Sequence, residues 1–216
     1  MGPHHQGPHP ADGAHHLPDR IAHRDRHLPG RPVAVPVRRA HPVILTSRRL
    51  TLRRPQADDI DWVTAEAQDP EIQRNTTIPS PYHRTDAEHF VDKANTDEMP
   101  KTFVITHTHT GQRLGVISLH QRPKHAPSVG YWIGKNARGQ GIATEALARI
   151  CRWAVDDLGA PIIVWTANVG NEASRAVAVK TGFKMEGTLR LRIASQGRLR
   201  DCWTGSLLPE ELIRNT

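Results

Sequence analysis

The sequence has few cysteines, no long apolar run and no block of basic residues, and each absence excludes a class of protein. Among its 216 residues only Cys151 and Cys202 are cysteines, and they have neither a metal-ligand spacing nor the pattern of a disulfide framework. No apolar run is long enough to predict a helix that crosses a bilayer. The first thirty residues lack the apolar segment of a secretory signal. We therefore expect a soluble, cytoplasmic protein with no membrane partner and no metal.

The chain is basic, with a formal net charge of +7 and a sequence pI of about 10.0. Such a charge suits nucleic acid, an acidic partner or an anionic cofactor. Residues 1–45 hold six arginines against three aspartates, which accounts for roughly half of the excess. The other positive charges are scattered, with no basic stripe interleaved with aromatic residues, so direct binding to nucleic acid is not favoured.

Composition divides the chain into a tail and a domain. Residues 1–45 contain eight of the fourteen histidines and eight of the seventeen prolines, and too few apolar residues recur there to build a core. We interpret this segment as a disordered tail. Residues 46–216 are predicted to form one folded domain.

Hydrophobic periodicity and turn residues predict the elements of this domain. The first half of the domain is predicted to contain a strand at 48–54, a helix opened by Asp58-Asp59 that ends before Pro70, a loop at 69–84, and a helix capped by Thr85 and Glu88 that runs to about Asn95. A meander of strands at 102–106, 114–120 and 128–134 should follow.

After the meander the pattern changes to alternating helix and strand. It predicts helix 140–158, strand 161–167, helix 172–181 and strands at 183–187 and 200–208. A strand, a helix and a further strand imply a parallel crossover. The fold class is therefore α/β (α+β), with a mixed, mostly antiparallel twisted sheet and helices on both faces.

The segment that carries chemistry follows the third strand of the meander and reads Arg138-Gly139-Gln140-Gly141-Ile142-Ala143-Thr144. The N–H groups of a first helical turn have no partner inside the helix, and the helix dipole makes this end positive. A diphosphate fits there if glycines let the backbone approach closely, and an arginine adds a charged donor. Two glycines at a strand–helix junction can also serve only the turn. The spacing excludes a dinucleotide fingerprint and a Walker loop.

Taken together, four segments resemble the GNAT superfamily of acetyltransferases, and most closely its branch of bacterial ribosomal-protein N-terminal acetyltransferases. The resemblance spans roughly residues 47–208. It rests on a Ser-Arg-Arg-Leu-Thr-Leu-Arg strand at 47–53, Gly-Tyr-Trp-Ile at 130–133, the loop at 138–144 continuing into Glu-Ala, and Asn-Glu-Ala-Ser at 171–174 followed by Lys-Thr-Gly-Phe at 180–183.

This resemblance implies a geometry and a set of site residues. The parallel strands near 128–134 and 161–167 should splay apart, and the pantetheine arm of acetyl-coenzyme A (acetyl-CoA) should lie in the gap. The N–H of Ile133 would polarise the thioester carbonyl, and Ser174 would give a proton to the departing thiolate. Residues implied to contact the co-substrate are Trp132, Ile133, Gly134, Arg138, Gly139, Gln140, Gly141, Ile142, Ala143, Thr144, Asn171 and Ser174.

Alternatives remain open within this interpretation. Asn171 and Ser174 also suit the plain capping of a helix. Relatives can carry a glutamate a few residues before the last strand, whereas residues 191–197 here contain no acid. Glu145, Asp201, His120 or a water relay are the candidates that remain for the general base.

The sequence thus predicts an acyltransferase that moves an acetyl group from acetyl-CoA directly to an amine. The expected acceptor is a protein or peptide N terminus. The alternatives are a small amine, such as an aminoglycoside or polyamine, or a non-catalytic acyl-CoA sensor. Acceptor choice should lie in the loop at 69–84 and in the arginine-rich hairpin near 187–200. A homodimer is compatible with the sequence, which does not determine the oligomeric state.

Overall fold

A computed structural model describes residues 43–96, 101–120 and 126–213. Most of the predicted tail, up to residue 42, lies outside these ranges, as does part of the predicted turn at 124–127. Within them the chain forms one sheet of eight strands in the order β1-β2-β3-β4-β5-β6-β8-β7. The strands are β1 Leu45–Thr46, β2 Leu50–Arg53, β3 Thr102–His107, β4 Arg113–His120, β5 Ser128–Ile133, β6 Ile163–Asn168, β7 Lys184–Ser195 and β8 Arg198–Leu207.

Five α-helices flank the sheet in the described part of the chain. They are α1 Ile60–Glu66, α2 Pro70–Asn75, α3 Arg84–Thr96, α4 Ile142–Asp156 and α5 Glu172–Thr181. Every strand pair is antiparallel except β5 with β6, so the predicted meander and parallel crossover are confirmed. The described ranges contain no helix long and apolar enough to cross a membrane.

The alternation of side chains along β5 shows that the helices cover both faces of the sheet. Tyr131 and Ile133 pack against the large core that includes the buried face of α4. Trp132, between them, packs against the smaller cluster built by α1 and α3, where it stacks on Trp62 with ring centroids 5.4 Å apart. Neighbouring residues of a strand point to opposite faces, so α4 lies on one face and α1 with α3 on the other.

One predicted loop contains a helix. Within residues 69–84, helix α2 begins at Pro70, because the Asp69 side chain accepts hydrogen bonds from the N–H groups of Glu71 (2.7 Å) and Ile72 (3.3 Å). An aspartate cap followed by proline is a strong start signal for a helix. The loop prediction was wrong for these six residues.

The start of α3 also differs from the prediction. The helix begins at Arg84, and Asp86 accepts from the N–H of His83 at 2.7 Å. His83 and Asp86 therefore occupy the positions that were assigned to Thr85 and Glu88. Glu88 instead pairs with Arg84 one turn earlier, at 3.1 Å.

The last hairpin is longer than predicted, because β7 continues to Ser195 instead of ending at 187. Its residues are mostly exposed on both faces, so they lack the alternation by which a half-buried strand is found in a sequence. The pairing shifts register near Gly187 and again between Leu189 and Ile193, where Leu191 has a φ of 52°.

Candidate functional site

A gap opens in the middle of the sheet, between β5 and β6. These parallel strands pair only at Ser128 with Val164 and at Val129 with Trp165. Beyond Val129, β5 continues to Ile133 and β6 to Asn168 without pairing with each other. The main-chain groups that face this gap are therefore not paired with the neighbouring strand of the sheet.

The hydrogen bonds between β4 and β5 show which groups these are. The N–H of Gly134 donates to the Leu114 carbonyl at 2.9 Å, and the groups of an antiparallel strand alternate in direction. The main chain of Trp132 and Gly134 therefore faces β4, whereas that of Ile133 faces the gap. Trp132, Ile133 and Gly134 were all predicted to contact the co-substrate, but of these three only Ile133 presents its N–H to the gap. Tyr131 faces the same way and was missed, although strand alternation could have indicated it.

The glycine-rich loop leads from this gap to the N terminus of α4. Gly139 and Gly141 have φ values of 74° and 75°, in the left-handed region that disfavours a side chain. Gly141 precedes the first helical residue, Ile142, and no side chain caps the helix. The N–H groups of Ile142, Ala143 and Thr144 therefore have no acceptor within the helix, and this end suits a diphosphate.

Arg138 takes a position that the sequence did not predict. Its guanidinium pairs with Glu71 at 2.8 Å and with Asp69 at 3.2 Å, and its Nε donates to the Ile133 carbonyl at 3.1 Å. Burial alone would raise the pKa of Asp69, but the Glu71 N–H and Arg138 outweigh it and hold that pKa below its usual value. Arg138 thus connects the loop, the end of β5 and α2, and three of its N–H groups are already used.

A second arginine lies at the loop. Arg49 donates through Nη2 to the Gln140 carbonyl at 3.2 Å and pairs through Nε with Glu145 at 2.7 Å. A Cβ at Gly141 would lie 3.6 Å from the same Nη2. No local pattern could have predicted this contact, because Arg49 and Gln140 are 91 positions apart.

Glu145 is held by the turn before β2. Its carboxylate accepts from the Ser47 hydroxyl and the Arg49 N–H, both at 2.8 Å, and from the Arg49 guanidinium. Burial would raise its pKa, but these three donors outweigh burial and hold the pKa below the usual value. A carboxylate stabilised in this way is a poor general base.

Ser174 lies beside the gap, in the first turn of α5. Asn171 caps α5, where its Oδ1 accepts from the Ser174 N–H at 3.1 Å. The Ser174 hydroxyl lies 3.1 Å from the indole N–H of Trp165 and 3.0 Å from the Tyr131 hydroxyl. Ser174 therefore does more than occupy a helix start, since two aromatic side chains fix its Oγ.

The Ser174 hydroxyl keeps a proton that it can donate. The Trp165 indole is only a donor, so it occupies a lone pair of Oγ and leaves the serine proton in place. The Tyr131 hydroxyl also lies 3.2 Å from the Ser174 carbonyl, which it can serve as a donor. Burial raises the pKa of Tyr131 to about 12, so it keeps its proton at neutral pH. The Ser174 proton can then be directed to a group in the gap.

The cysteines offer no competing nucleophile. Cys151 and Cys202 are both buried, and burial raises the pKa of each thiol. A thiol must ionise to attack, so neither side chain is activated. Within the ranges that the structure covers, His, Cys, Asp and Glu side chains form no group able to hold a metal ion.

Residues 49–184 match the family described as the acetyltransferase (GNAT) domain. The chain belongs to this family. It is therefore an acetyl-CoA-dependent acyltransferase, and the predicted resemblance and fold class are confirmed. GNAT enzymes use acetyl-CoA as a co-substrate, and the gap and the α4 N terminus are the features of this chain that suit it.

Individual relatives agree with this assignment. The Bacillus subtilis (strain 168) protein "Putative ribosomal N-acetyltransferase YdaF" is 37% identical over 103 residues, which are 47% of this chain and 56% of that protein. The Bacillus licheniformis protein "Uncharacterized N-acetyltransferase p20" is 25% identical over 173 residues, which are 77% of this chain and 97% of that protein. Mycobacterium smegmatis RimJ, solved in complex with CoA-disulfide, has a similar fold, with a TM-score of 0.70 and 20% identity; the match covers 80% of this chain and 90% of that one.

Proposed function

We propose that this enzyme acetylates the N-terminal amine of a protein or peptide. The main support is the contact between two segments beside the gap, on the face of α1 and α3. These segments are the loop at 69–84 and the β7–β8 hairpin. Ser195, near the tip of the β7–β8 hairpin, contacts the Thr76 carbonyl at 3.3 Å. Asn168, at the end of β6, donates to the Arg74 carbonyl at 3.1 Å. The two segments expected to choose the acceptor therefore meet beside the last residue of β6.

The charge of the hairpin favours a peptide over a polycation. Its four arginines form no ion pair with a carboxylate of the described residues, unlike Arg53, Arg113 and Arg138. The four are Arg190, Arg192, Arg198 and Arg200. A surface with an excess of positive charge repels an aminoglycoside or polyamine and attracts an anionic segment, with a strength that salt reduces.

The catalytic step follows from the groups around the gap. The pantetheine arm would lie along the edge of β5 that the Ile133 main chain faces. The diphosphate of CoA would lie on the N terminus of α4. The Ile133 N–H would stabilise the charge that develops on the thioester oxygen as the amine attacks. The C–N bond forms, the C–S bond breaks, and the Ser174 hydroxyl supplies a proton to the sulfur. No acyl-enzyme is required, in agreement with the neutral cysteines.

A thiol-release assay with acetyl-CoA tests this proposal. The acceptor panel would contain peptides with free N termini, the same peptides with blocked N termini, spermidine and kanamycin. We expect release with free N termini and none with the blocked controls. Faster release with spermidine or kanamycin than with any peptide would show that the acceptor is a small amine. Tight binding of acetyl-CoA without release for any amine would identify a sensor.

A further inference from the structure

On the face of the sheet opposite Ser174, the imidazole of His120 lies over Gly130. A Cβ built at Gly130 would be 3.1 Å from His120 Nε2 and 3.5 Å from its Cδ2. The glycine thus leaves the space that the imidazole edge fills. Gly130 shares its strand face with Trp132, so His120 stands on the face of α1 and α3.

His120 also stands at the point where the gap opens. Gly130 directly follows Val129, the last residue of β5 that pairs with β6. On the opposite face, Ser174 is held by Tyr131 and by Trp165, the register partner of Val129. The proposed proton donor and the imidazole therefore flank the same end of the gap from opposite faces.

The other candidate bases lie away from this end of the gap. Glu145 is bound by Ser47 and Arg49, and Asp201 accepts from the Leu191 N–H at 2.9 Å in the β7 bulge. Glu66, which the sequence did not suggest, lies against Gly134, whose added Cβ would be 3.0 Å from its carboxylate. The Glu66 carboxylate also accepts from the Lys135 N–H at 3.3 Å, beyond the end of β5.

We propose that His120 is the general base, taking a proton from the acceptor ammonium before it attacks; this rests on the transferase function proposed above. Nε2 removes one proton, and the freed lone pair attacks the thioester carbon. The C–N bond forms, the C–S bond breaks, and the electron pair passes to sulfur, which is protonated from Ser174. The second proton of the nitrogen restores the Ser174 hydroxyl through solvent, and His120 returns its own proton to bulk water.

On the neighbouring strands, Ser128 is the register partner of His120 on β5 and carries no charge. Lys101 precedes β3, and its carbonyl accepts from the Leu119 N–H at 2.6 Å. Lys101 therefore lies opposite Leu119, and its side chain shares the face of Leu119 instead of the face of His120.

The test compares three variants by their dependence of kcat and kcat/KM on pH, using the amine that gives the fastest thiol release in the panel. For His120→Asn we expect kcat to fall about 100-fold, the low end for loss of a general base, with the acidic limb of the profile lost. Affinity for CoA should be unchanged. His109→Asn, in the β3–β4 turn, is the matched control and should retain the wild-type profile. A wild-type profile in His120→Asn, or loss of the limb in Glu66→Gln, would overturn the proposal.

Gly130→Ala provides a second test that does not remove the imidazole. The new Cβ crowds Nε2, so we expect kcat to fall severalfold in the wild-type background and to change no further in His120→Asn. An equal loss in both backgrounds would show that Gly130 acts independently of His120 and would contradict the proposal. Absence of thiol release with every amine would instead refute the transferase function and, with it, this role. If His120→Asn turns over acetyl-CoA with the wild-type pH profile, only the role of His120 is refuted and the transferase function stands.

Discussion

Replacing Ser174 with alanine removes one oxygen atom that has a role in catalysis and a role in stability. The hydroxyl is the proposed proton donor to the thiolate, and it is also the partner of the Trp165 indole and the Tyr131 hydroxyl. Ser174→Ala should therefore change turnover and stability together, by amounts that can be measured separately.

The expected sizes follow from these contacts. Loss of a general acid typically costs between 10²- and 10⁴-fold, and we expect kcat to fall about 100-fold, or about 2.7 kcal/mol. The dissociation constant of CoA should change less than about twofold, because the diphosphate contacts are untouched. Trp165 is 1% exposed, and its indole N–H loses its acceptor, so the free energy of unfolding should fall by about 1–3 kcal/mol.

Three measurements check this: steady-state thiol release, calorimetric binding of CoA, and urea denaturation. Ser206→Ala is a matched control. Ser206 lies on β8, outside the gap, and is also largely buried, and its hydroxyl donates to Glu186 at 2.6 Å. It should retain its kcat. A Ser174→Ala enzyme with wild-type kcat would refute the proton-donor role. A Kd for CoA that rises as much as kcat falls would show that Ser174 only binds the co-substrate.

Three further predictions concern the fold, the loop and the hairpin. Asp59→Asn should lower the free energy of unfolding by about 3 kcal/mol, because it removes a fully buried carboxylate that pairs with the partly exposed Arg53 and Arg113. Burial would raise the pKa of Asp59, but the two arginines outweigh it and lower that pKa, so the contribution is full above about pH 4 and is lost as pH falls through the folded value. A difference in urea midpoint between wild type and Asp59→Asn that is as large at pH 3 as at pH 7 would contradict this. Gly141→Ala, at φ 75°, should cost about 1–2 kcal/mol in strain and weaken CoA binding about tenfold, whereas an unchanged Kd by calorimetry would refute the role of the loop. Arg198→Glu should raise KM for an acidic peptide up to about fivefold at low salt and lower it for a lysine-rich one, and equal KM values for the two peptides would refute charge selection.

The parts of the fold that follow local patterns were predictable. The meander, the crossover and α4 have the periodicities of strand and helix, and Gly139 and Gly141 marked the loop in advance. Helix α2 was missed although Asp69 and Pro70 are a sufficient start signal, because the prolines that follow suggested a loop. The length of β7 could not be found, since a hairpin exposed on both faces lacks the alternating pattern.

The contacts that complete the site depend on tertiary structure. Arg138 meets Asp69 and Glu71 across almost seventy residues, and nothing local distinguishes that arginine from one that binds phosphate. The approach of His120 to Gly130 depends on the register of β4 against β5, in which a shift of one residue would turn the imidazole to the other face. Residue types therefore predicted that acetyl-CoA is the acetyl donor, whereas strand register decides which side chains flank the gap.

In the mechanism proposed above, acetyl-CoA lies between β5 and β6 with its diphosphate on the N terminus of α4. A crystal structure of the enzyme with CoA and an acetylated peptide tests it most directly. We predict diphosphate oxygens within hydrogen-bond distance of the N–H groups of Ile142–Thr144, and the sulfur beside the Ser174 hydroxyl. The peptide should enter from the face that carries His120. A CoA molecule bound outside the gap, or a sulfur remote from Ser174, would contradict the account.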